Sequence, residues 1–249
     1  MTGSSTPTSN PQRGGRPYYR EITKLLEANT GANRLASVFD DFVRLSAITF
    51  RNAVDRHGRD EREELYLRTA GKYTAEQMGR FAQALALVVQ AMEEEPCDVL
   101  GRLYMGLDLG NENLGQFFTP FDVARLVAAM NAETLTAQVR EHGFADLYEP
   151  ACGAGAFVVA TALEMQRAGL NYQRQLHVTA EDISAEAVHM IYVHLTLLHI
   201  PAVVRRANTL TGEVFEVWPT PAHILGDWAR KIARRVQNHR PALTEEVAS

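Results

Sequence analysis

The chain has 249 residues, of which 46% are hydrophobic and 22% charged, so it can bury the core of one large domain or two small ones. Its 25 basic and 30 acidic residues give a net charge of −5, which excludes a uniformly basic nucleic-acid coat. Its two cysteines cannot form a disulfide framework, no apolar run reaches the roughly 18 residues of a membrane span, and the N-terminus lacks a signal-peptide core. We therefore expect a cytoplasmic protein without a membrane partner.

The first part of the chain favours helices. Residues 1–17 have no apolar side chain after Met1 and predict a disordered tail, with a DNA contact through its arginines as the alternative. From residue 18 to 108 the apolar residues recur at helical spacing, and Thr74 to Gln77 form a capping box before a long apolar face. This region predicts an all-helical N-terminal domain that acts as a scaffold.

The periodicity then changes to strands alternating with helices. Short apolar runs predict three buried strands, separated by two helices, at 144–148, 176–180 and 202–205. Such an order predicts an α/β fold, a partial doubly wound, Rossmann-like parallel sheet preceded by the all-helical N-terminal domain. We assign this truncated sheet domain to residues 109–218, and a single C-terminal helix over 221–238, followed by a loose end, to residues 219–249.

Two polar motifs follow the first two strands. The first, E-P-A-C-G-A-G-A-F from Glu149 to Phe157, places glycines between a strand and a helix, where backbone can approach an anionic or polar ligand. A tight turn that needs glycine is the alternative. In the second, A-E-D-I-S, Asp182 stands where an acid can bind both ribose hydroxyls, and Glu181 points to the opposite face. A simple helix-capping acid is the alternative for Asp182, and Ser184 is predicted to cap the next helix.

A third segment, G-Q-F-F-T-P from Gly115 to Pro120, precedes both motifs. Thr119 as a cap and Pro120 at the first helical position predict a strong helix start without any ligand, and the two phenylalanines could equally be core. Together with A-N-T-L at 207–210, however, the order of motifs resembles the amino-methylating, adenine-specific DNA methyltransferase family. It most resembles the modification subunit of type I restriction–modification systems.

The resemblance implies an S-adenosyl-L-methionine site. The methionine end of the cofactor would lie against the Thr-Pro region and the glycine turn, the ribose on the acid, and the adenine ring on the next residue. The family's third motif often has an Asp that contacts the adenine amine, where this chain has Asn. The cofactor-binding residues implied are Phe117, Thr119, Pro120, Glu149, Pro150, Ala151, Cys152, Gly153, Gly155, Asp182, Ile183 and Asn208.

One departure from the family concerns catalysis. The family's catalytic loop is Asn-Pro-Pro-aromatic, which by family logic holds the amine of a flipped adenine and stacks on the base. This chain has ten prolines and no Pro-Pro pair, and its nearest candidate is V-W-P-T-P at 217–221, without a preceding Asn, Asp or Ser. We therefore assign no catalytic residue and no metal ligand, and expect the isolated chain to be inactive.

Two functions follow as hypotheses. The chain is the cofactor-binding part of an N(6)-adenine DNA methyltransferase of restriction–modification type, completed by a second subunit. Alternatively, it is a non-catalytic module that binds the cofactor and DNA or a partner. The G-Q-F-F-T-P segment argues against a small-molecule methyltransferase. A basic run from Arg230 to Arg240 favours a solvated helix face, with contact to DNA or an acidic partner as the alternative.

Overall fold

A computed structural model describes residues 16–31, 33–107, 109 and 119–238. Its first part is helical, as predicted. Five helices form this part: α1 (Arg16–Glu27), α2 (Leu35–Val54), α3 (Arg59–Ala70), α4 (Ala75–Glu94) and α5 (Val99–Gly106). Helix α1 begins inside the range predicted as a tail, whereas residues 1–15 and the predicted loose end at 241–249 lie outside the described residues.

The capping box before α4 is confirmed in both directions. The Thr74 hydroxyl accepts from the Gln77 N–H at 3.2 Å, and the Thr74 N–H donates to the Gln77 side chain at 2.9 Å. These two bonds satisfy backbone donors that the first turn of a helix cannot satisfy itself. The apolar periodicity of α2 also has its expected consequence, because Val38, Phe39 and Phe42 are fully buried.

The second part is the predicted strand–helix–strand–helix–strand unit. Its elements are α6 (Phe121–His142), β1 (Ala145–Glu149), α7 (Ala156–Arg167), α8 (Tyr172–Gln175), β2 (Leu176–Asp182), α9 (Ala185–Leu197), β3 (Ala202–Asn208), β4 (Glu213–Pro219), α10 (Pro221–Leu225) and α11 (Trp228–Asn238). The strands lie in the order β1-β2-β3-β4, and the first three are parallel. Their carboxyl ends therefore meet at one edge of the sheet.

Strand β4 was not predicted. It pairs with β3 in the antiparallel direction, with Arg206 opposite Glu216, and turns the end of the unit into a hairpin. Its Trp218 is buried, with ring centroids 5.1 Å from His189 and 5.3 Å from Tyr192 on α9. Residues 217–221, the nearest candidate for a catalytic loop, are the end of β4 followed by the start of α10.

The single helix predicted over 221–238 is also wrong. The chain breaks between α10 and α11, where Asp227 adopts a φ of +52° that a continuing helix does not allow. The Trp228 side chain, 2% exposed, then packs edge-on against Phe144 at 5.1 Å. The break thus allows Trp228 to pack near the amino ends of β1 and β2.

Most of the buried apolar residues of the helices and the sheet form one continuous cluster. It extends from Phe39 and Phe42 of α2 through Ile191 of α9 to Val178 and Val204 of the central strands. Helix α2 packs along α9, and its residues Phe39 and Asp40 line the same cavity as Ile183, so the helical region borders the carboxyl end of β2. None of the described helices is long and apolar enough to cross a membrane.

Candidate functional site

The glycine turn begins where β1 ends. The Glu149 carboxylate accepts from the Ala151 N–H at 3.2 Å, and the Gly155 N–H donates to the Cys152 carbonyl at 2.8 Å, closing the turn. Gly153 and Gly155 have φ values of +51° and +94°, a region that side chains with a Cβ rarely adopt. Gly155 is the N-cap of α7. The turn therefore presents bare backbone beside the positive end of a helix dipole.

Asp182 joins the end of β2 to this turn. One carboxylate oxygen accepts from the Gly153 N–H at 2.9 Å, and the other accepts from the Ser184 N–H at 2.9 Å. Because each oxygen has a second lone pair, the carboxylate can still accept two hydroxyl hydrogens. The capping role predicted for Ser184 is confirmed, since its hydroxyl accepts from the Ala187 N–H at 3.2 Å.

Asn208 ends β3 and shapes the turn that follows it. Its side-chain oxygen accepts from the N–H groups of Leu210 at 3.1 Å and Thr211 at 3.3 Å. Its Nδ2 has no hydrogen-bond partner among the described residues. The neighbouring Thr209 hydroxyl donates to the Pro150 carbonyl at 2.8 Å, which ties the end of β3 to the glycine turn. The predicted residues on all three strands are thus brought together.

A polar network lies on the opposite face of the sheet from Asp182, as predicted for Glu181. The buried Glu181 carboxylate accepts from the Tyr148 hydroxyl at 2.9 Å and from Arg205 at 3.1 Å. The hydrogen bond to Glu181 raises the pKa of Tyr148. The Glu181 carbonyl also accepts from the Cys152 N–H at 2.9 Å. Glu181 therefore connects β1, β2 and β3 and is a positioning group.

The sequence did not single out the positioning role of His194. Its Nε2 accepts from the Leu100 N–H at 3.1 Å, so its Nδ1 carries the proton and donates to the Ala154 carbonyl at 2.8 Å. Burial lowers the pKa of His194, which favours the neutral ring that this arrangement requires. His194 thus links the glycine turn to α5. No local pattern could reveal it, because its partners lie 94 and 40 residues away in the chain.

The Thr-Pro segment lies at the start of α6. The predicted Thr119 cap is wrong, because Pro120 takes the N-cap position and no side chain caps this helix. Phe121, the first helical residue, packs against a cluster of small residues from α6 and α7. Since α7 starts directly after the glycine turn and packs against α6, Thr119 and Pro120 lie immediately before the helix that is paired with α7. Phe117 lies outside the described residues.

Two further residues border the site. Ile183 is 57% exposed and lines a cavity of about 590 Å³ between the sheet and the N-terminal helices. Cys152 is buried, and burial raises the pKa of its thiol well above its usual range, which leaves it protonated and unsuited to act as a nucleophile. Residues 16–31, 33–107, 109 and 119–238 contain no group of three His, Cys, Asp or Glu placed to hold a metal ion.

Three parallel strands, with a glycine turn, an acid and an amide at their carboxyl ends, define an α/β domain of the Rossmann-like class. A model of the N-6 DNA Methylase family matches residues 98–227, more than half of the chain. The chain belongs to this family.

Solved structures give more distant matches. One is the type I restriction–modification methyltransferase subunit from Streptococcus thermophilus, at 13% identity and a TM-score of 0.40, covering 80% of this chain and 59% of that one. Another comes from work on complex assembly and conformational transition of a type I restriction–modification system, at 16% identity and a TM-score of 0.43, covering 82% and 52%. The chain thus spans little more than half the length of these structures. No curated protein matches the sequence.

Proposed function

We propose that the chain binds S-adenosyl-L-methionine at the carboxyl ends of β1, β2 and β3. One observation carries this proposal: the Asp182 carboxylate is hydrogen-bonded to the glycine turn and keeps lone pairs for further donors. The arrangement fits the cofactor, since an acid suits its ribose hydroxyls and the exposed Ile183 suits the face of its adenine. The glycine turn leads into the N-terminus of α7, whose positive end suits the carboxylate of the methionine end.

The roles of the individual residues follow from the family motifs. The ribose hydroxyls are assigned to Asp182, the adenine face to Ile183 and an edge of the ring to Asn208. The methionine end is assigned to Phe117, Thr119 and Pro120 with the turn residues Glu149, Pro150, Ala151, Cys152, Gly153 and Gly155. The bound cofactor would supply an electrophilic methyl group. The residues of this chain bind and orient it.

Calorimetric titration with S-adenosylmethionine and its demethylated product tests this proposal. We expect one site, and Asp182→Ala should weaken binding more than tenfold, about 1.4 kcal/mol. Asp60→Asn, an exposed acid on α3, is the matched control and should bind as the wild type does. The absence of both heat and a thermal shift with the wild type would refute the proposal.

We further propose that this chain is the cofactor-binding part of an N(6)-adenine DNA methyltransferase of restriction–modification type. Methyl transfer to adenine needs acceptors for the amine hydrogens and an aromatic side chain on which the flipped base stacks. The sequence contains no Asn-Pro-Pro-aromatic segment, and residues 217–221 belong to β4 and α10. Positioning of reactants can contribute about 7–11 kcal/mol. The chain alone is therefore expected to be inactive.

A methylation assay with labelled cofactor separates this function from its alternative. Transfer to duplex DNA only after addition of a second subunit would support a divided enzyme. No transfer with any subunit, together with cofactor binding, would favour the non-catalytic module. Transfer by the purified chain alone, abolished by changes at 217–221, would contradict both.

DNA binding by the isolated chain is proposed to be weak and electrostatic. The basic residues of α11 are partly engaged: Arg235 forms an ion pair with Asp146, and Arg230 lies 3.4 Å from Asp227. Affinity should fall steeply as salt rises, because phosphate contacts release counterions. A tight, sequence-selective complex that is insensitive to salt would contradict this expectation.

A further inference from the structure

His194 of α9 lies fully buried between the glycine turn and the start of α5. Its ring makes two hydrogen bonds, to the Ala154 carbonyl at 2.8 Å and to the Leu100 N–H at 3.1 Å. A neutral imidazole has one donor and one acceptor, so a single tautomer satisfies both partners. The Asp98 carboxylate lies 3.8 Å from Nδ1, beyond hydrogen-bonding distance, which leaves the carbonyl as the acceptor of that proton.

The first bond acts on the centre of the glycine turn. Ala154 is buried between Gly153 and Gly155, the N-cap of α7. The peptide unit that links Ala154 to Gly155 is planar and trans, so fixing its carbonyl also fixes the Gly155 N–H on the opposite side. This N–H donates to the Cys152 carbonyl at 2.8 Å, the bond that closes the turn. The donor on His194 therefore fixes the peptide that shapes the proposed cofactor site.

The second bond acts on the first turn of α5. A helix cannot satisfy the N–H groups of its own first turn, and Leu100 is 1% exposed, so water cannot replace the missing acceptor. His194 Nε2 supplies that acceptor, while the Asp98 carboxylate accepts from the next N–H, that of Gly101, at 2.8 Å. The start of α5 therefore depends on a side chain whose other ring nitrogen holds the glycine turn.

We propose that His194 is a positioning residue that couples the cofactor site to the helical part of the chain. When the glycine turn binds the cofactor, the Ala154 peptide loses its freedom to rotate, and the imidazole ring transmits this restraint to α5. Because coupling between two sites is reciprocal, a firmly attached α5 in turn favours the turn conformation that binds the cofactor. This inference rests on the proposed function and adds a regulatory contact to it.

Two substitutions separate the two bonds. The amide nitrogen of His194→Asn lies near the place of Nδ1, so it can donate to the Ala154 carbonyl but leaves the Leu100 N–H without an acceptor. The amide oxygen of His194→Gln lies near the place of Nε2, so it can accept from the Leu100 N–H but leaves the Ala154 carbonyl without a donor. Each variant loses one buried hydrogen bond and keeps the other, so a purely structural role predicts equal effects on cofactor affinity.

Calorimetric titration with S-adenosylhomocysteine tests the bond to the glycine turn. We expect His194→Gln to weaken binding by about fivefold, the effect of one hydrogen bond, and His194→Asn to weaken it by no more than about twofold. His189→Gln changes another buried histidine of α9 and is the matched control, which should bind as the wild type does. Equal weakening by the two substitutions at position 194 would overturn the inference.

The amide signal of Leu100 tests the coupling to α5. Leu100 lies on the other side of the imidazole from the glycine turn, so we expect its chemical shift to respond to the ligand through His194. The shift should change in the wild type at saturating S-adenosylhomocysteine and stay unchanged in both variants at position 194. A shift that ignores the ligand in a wild type that binds it, or that still responds in both variants, would overturn the inference and leave the proposed function intact. Failure of the wild type to bind would overturn both.

Discussion

The substitution Gly155→Ala tests whether packing against Ile191 requires a glycine in the glycine turn. A Cβ at this position would lie 2.6 Å from Ile191 Cγ1 and 3.0 Å from its Cδ1, and the φ of +94° is strained for alanine. The backbone strain costs about 1–2 kcal/mol, and overpacking against a buried side chain costs about 1–3 kcal/mol. Gly155→Ala should therefore lower the free energy of unfolding by about 2–5 kcal/mol.

A matched control separates the two contributions. Gly169 has a φ of +79° with open space around it, so Gly169→Ala should cost only the backbone strain of about 1–2 kcal/mol. In an Ile191→Ala background, Gly155→Ala should cost no more than this control, because the clashing atoms are gone. Urea unfolding at constant m-value gives the free energies of unfolding of the wild type, the three single variants and the double variant. Equal costs for Gly155→Ala and Gly169→Ala in the wild-type background would refute the packing argument.

Three further predictions concern stability. Trp218→Ala should cost about 3–5 kcal/mol in urea unfolding, because the ring is buried on α9, and a cost below about 1 kcal/mol would contradict its place in the core. Burial holds the pKa of His189 near 3, below its ordinary 6.5, so the stability that the neutral ring contributes is lost as pH falls below 6.5. His189→Gln should therefore reduce the slope of the unfolding free energy between pH 6 and 4 by about 1.4 kcal/mol per pH unit. An unchanged slope would contradict this prediction. Burial shifts the pKa of Asp40 in the upward direction, to about 6, so the stability that the protonated carboxyl contributes is lost as pH rises from 3.8 to about 6. Between pH 5 and 7.5 the unfolding free energy of Asp40→Asn should therefore rise by about 1–2 kcal/mol relative to that of the wild type. No relative rise would refute the burial argument.

The parallel unit could be predicted because its signals are local. The runs around β1, β2 and β3 are apolar, and the helices between them begin and end at recognisable residues. The glycine turn and Asp182 follow from their positions after strands, and chain order alone brings them to one edge. These parts of the fold require no knowledge of which distant residues touch.

Strand β4 was missed for a physical reason. Its residues favour strands, but Val214, Phe215 and Val217 are between 41% and 46% exposed, so the strand has no buried alternation to detect. Pro219 at its end and Pro221 just beyond it are also more typical of a loop than of a strand. The segment forms a strand because it pairs with β3.

The residues contributed by distant packing could not be predicted either. His194 links the glycine turn to α5 only because α5 lies against α9, and Asp40 borders the Ile183 cavity only because α2 packs along α9. In both cases the role depends on contacts across much of the chain. A capping box or a glycine turn, by contrast, is complete within a few residues.

Amide chemical shifts during titration with S-adenosylhomocysteine test the central claim most directly. The account predicts that the largest changes fall at the carboxyl ends of the three parallel strands, at Gly153, Ile183 and Asn208, while Asp60 on α3 stays unchanged. Changes confined to other parts of the molecule, or no changes at saturating ligand, would contradict the assignment of the cofactor site.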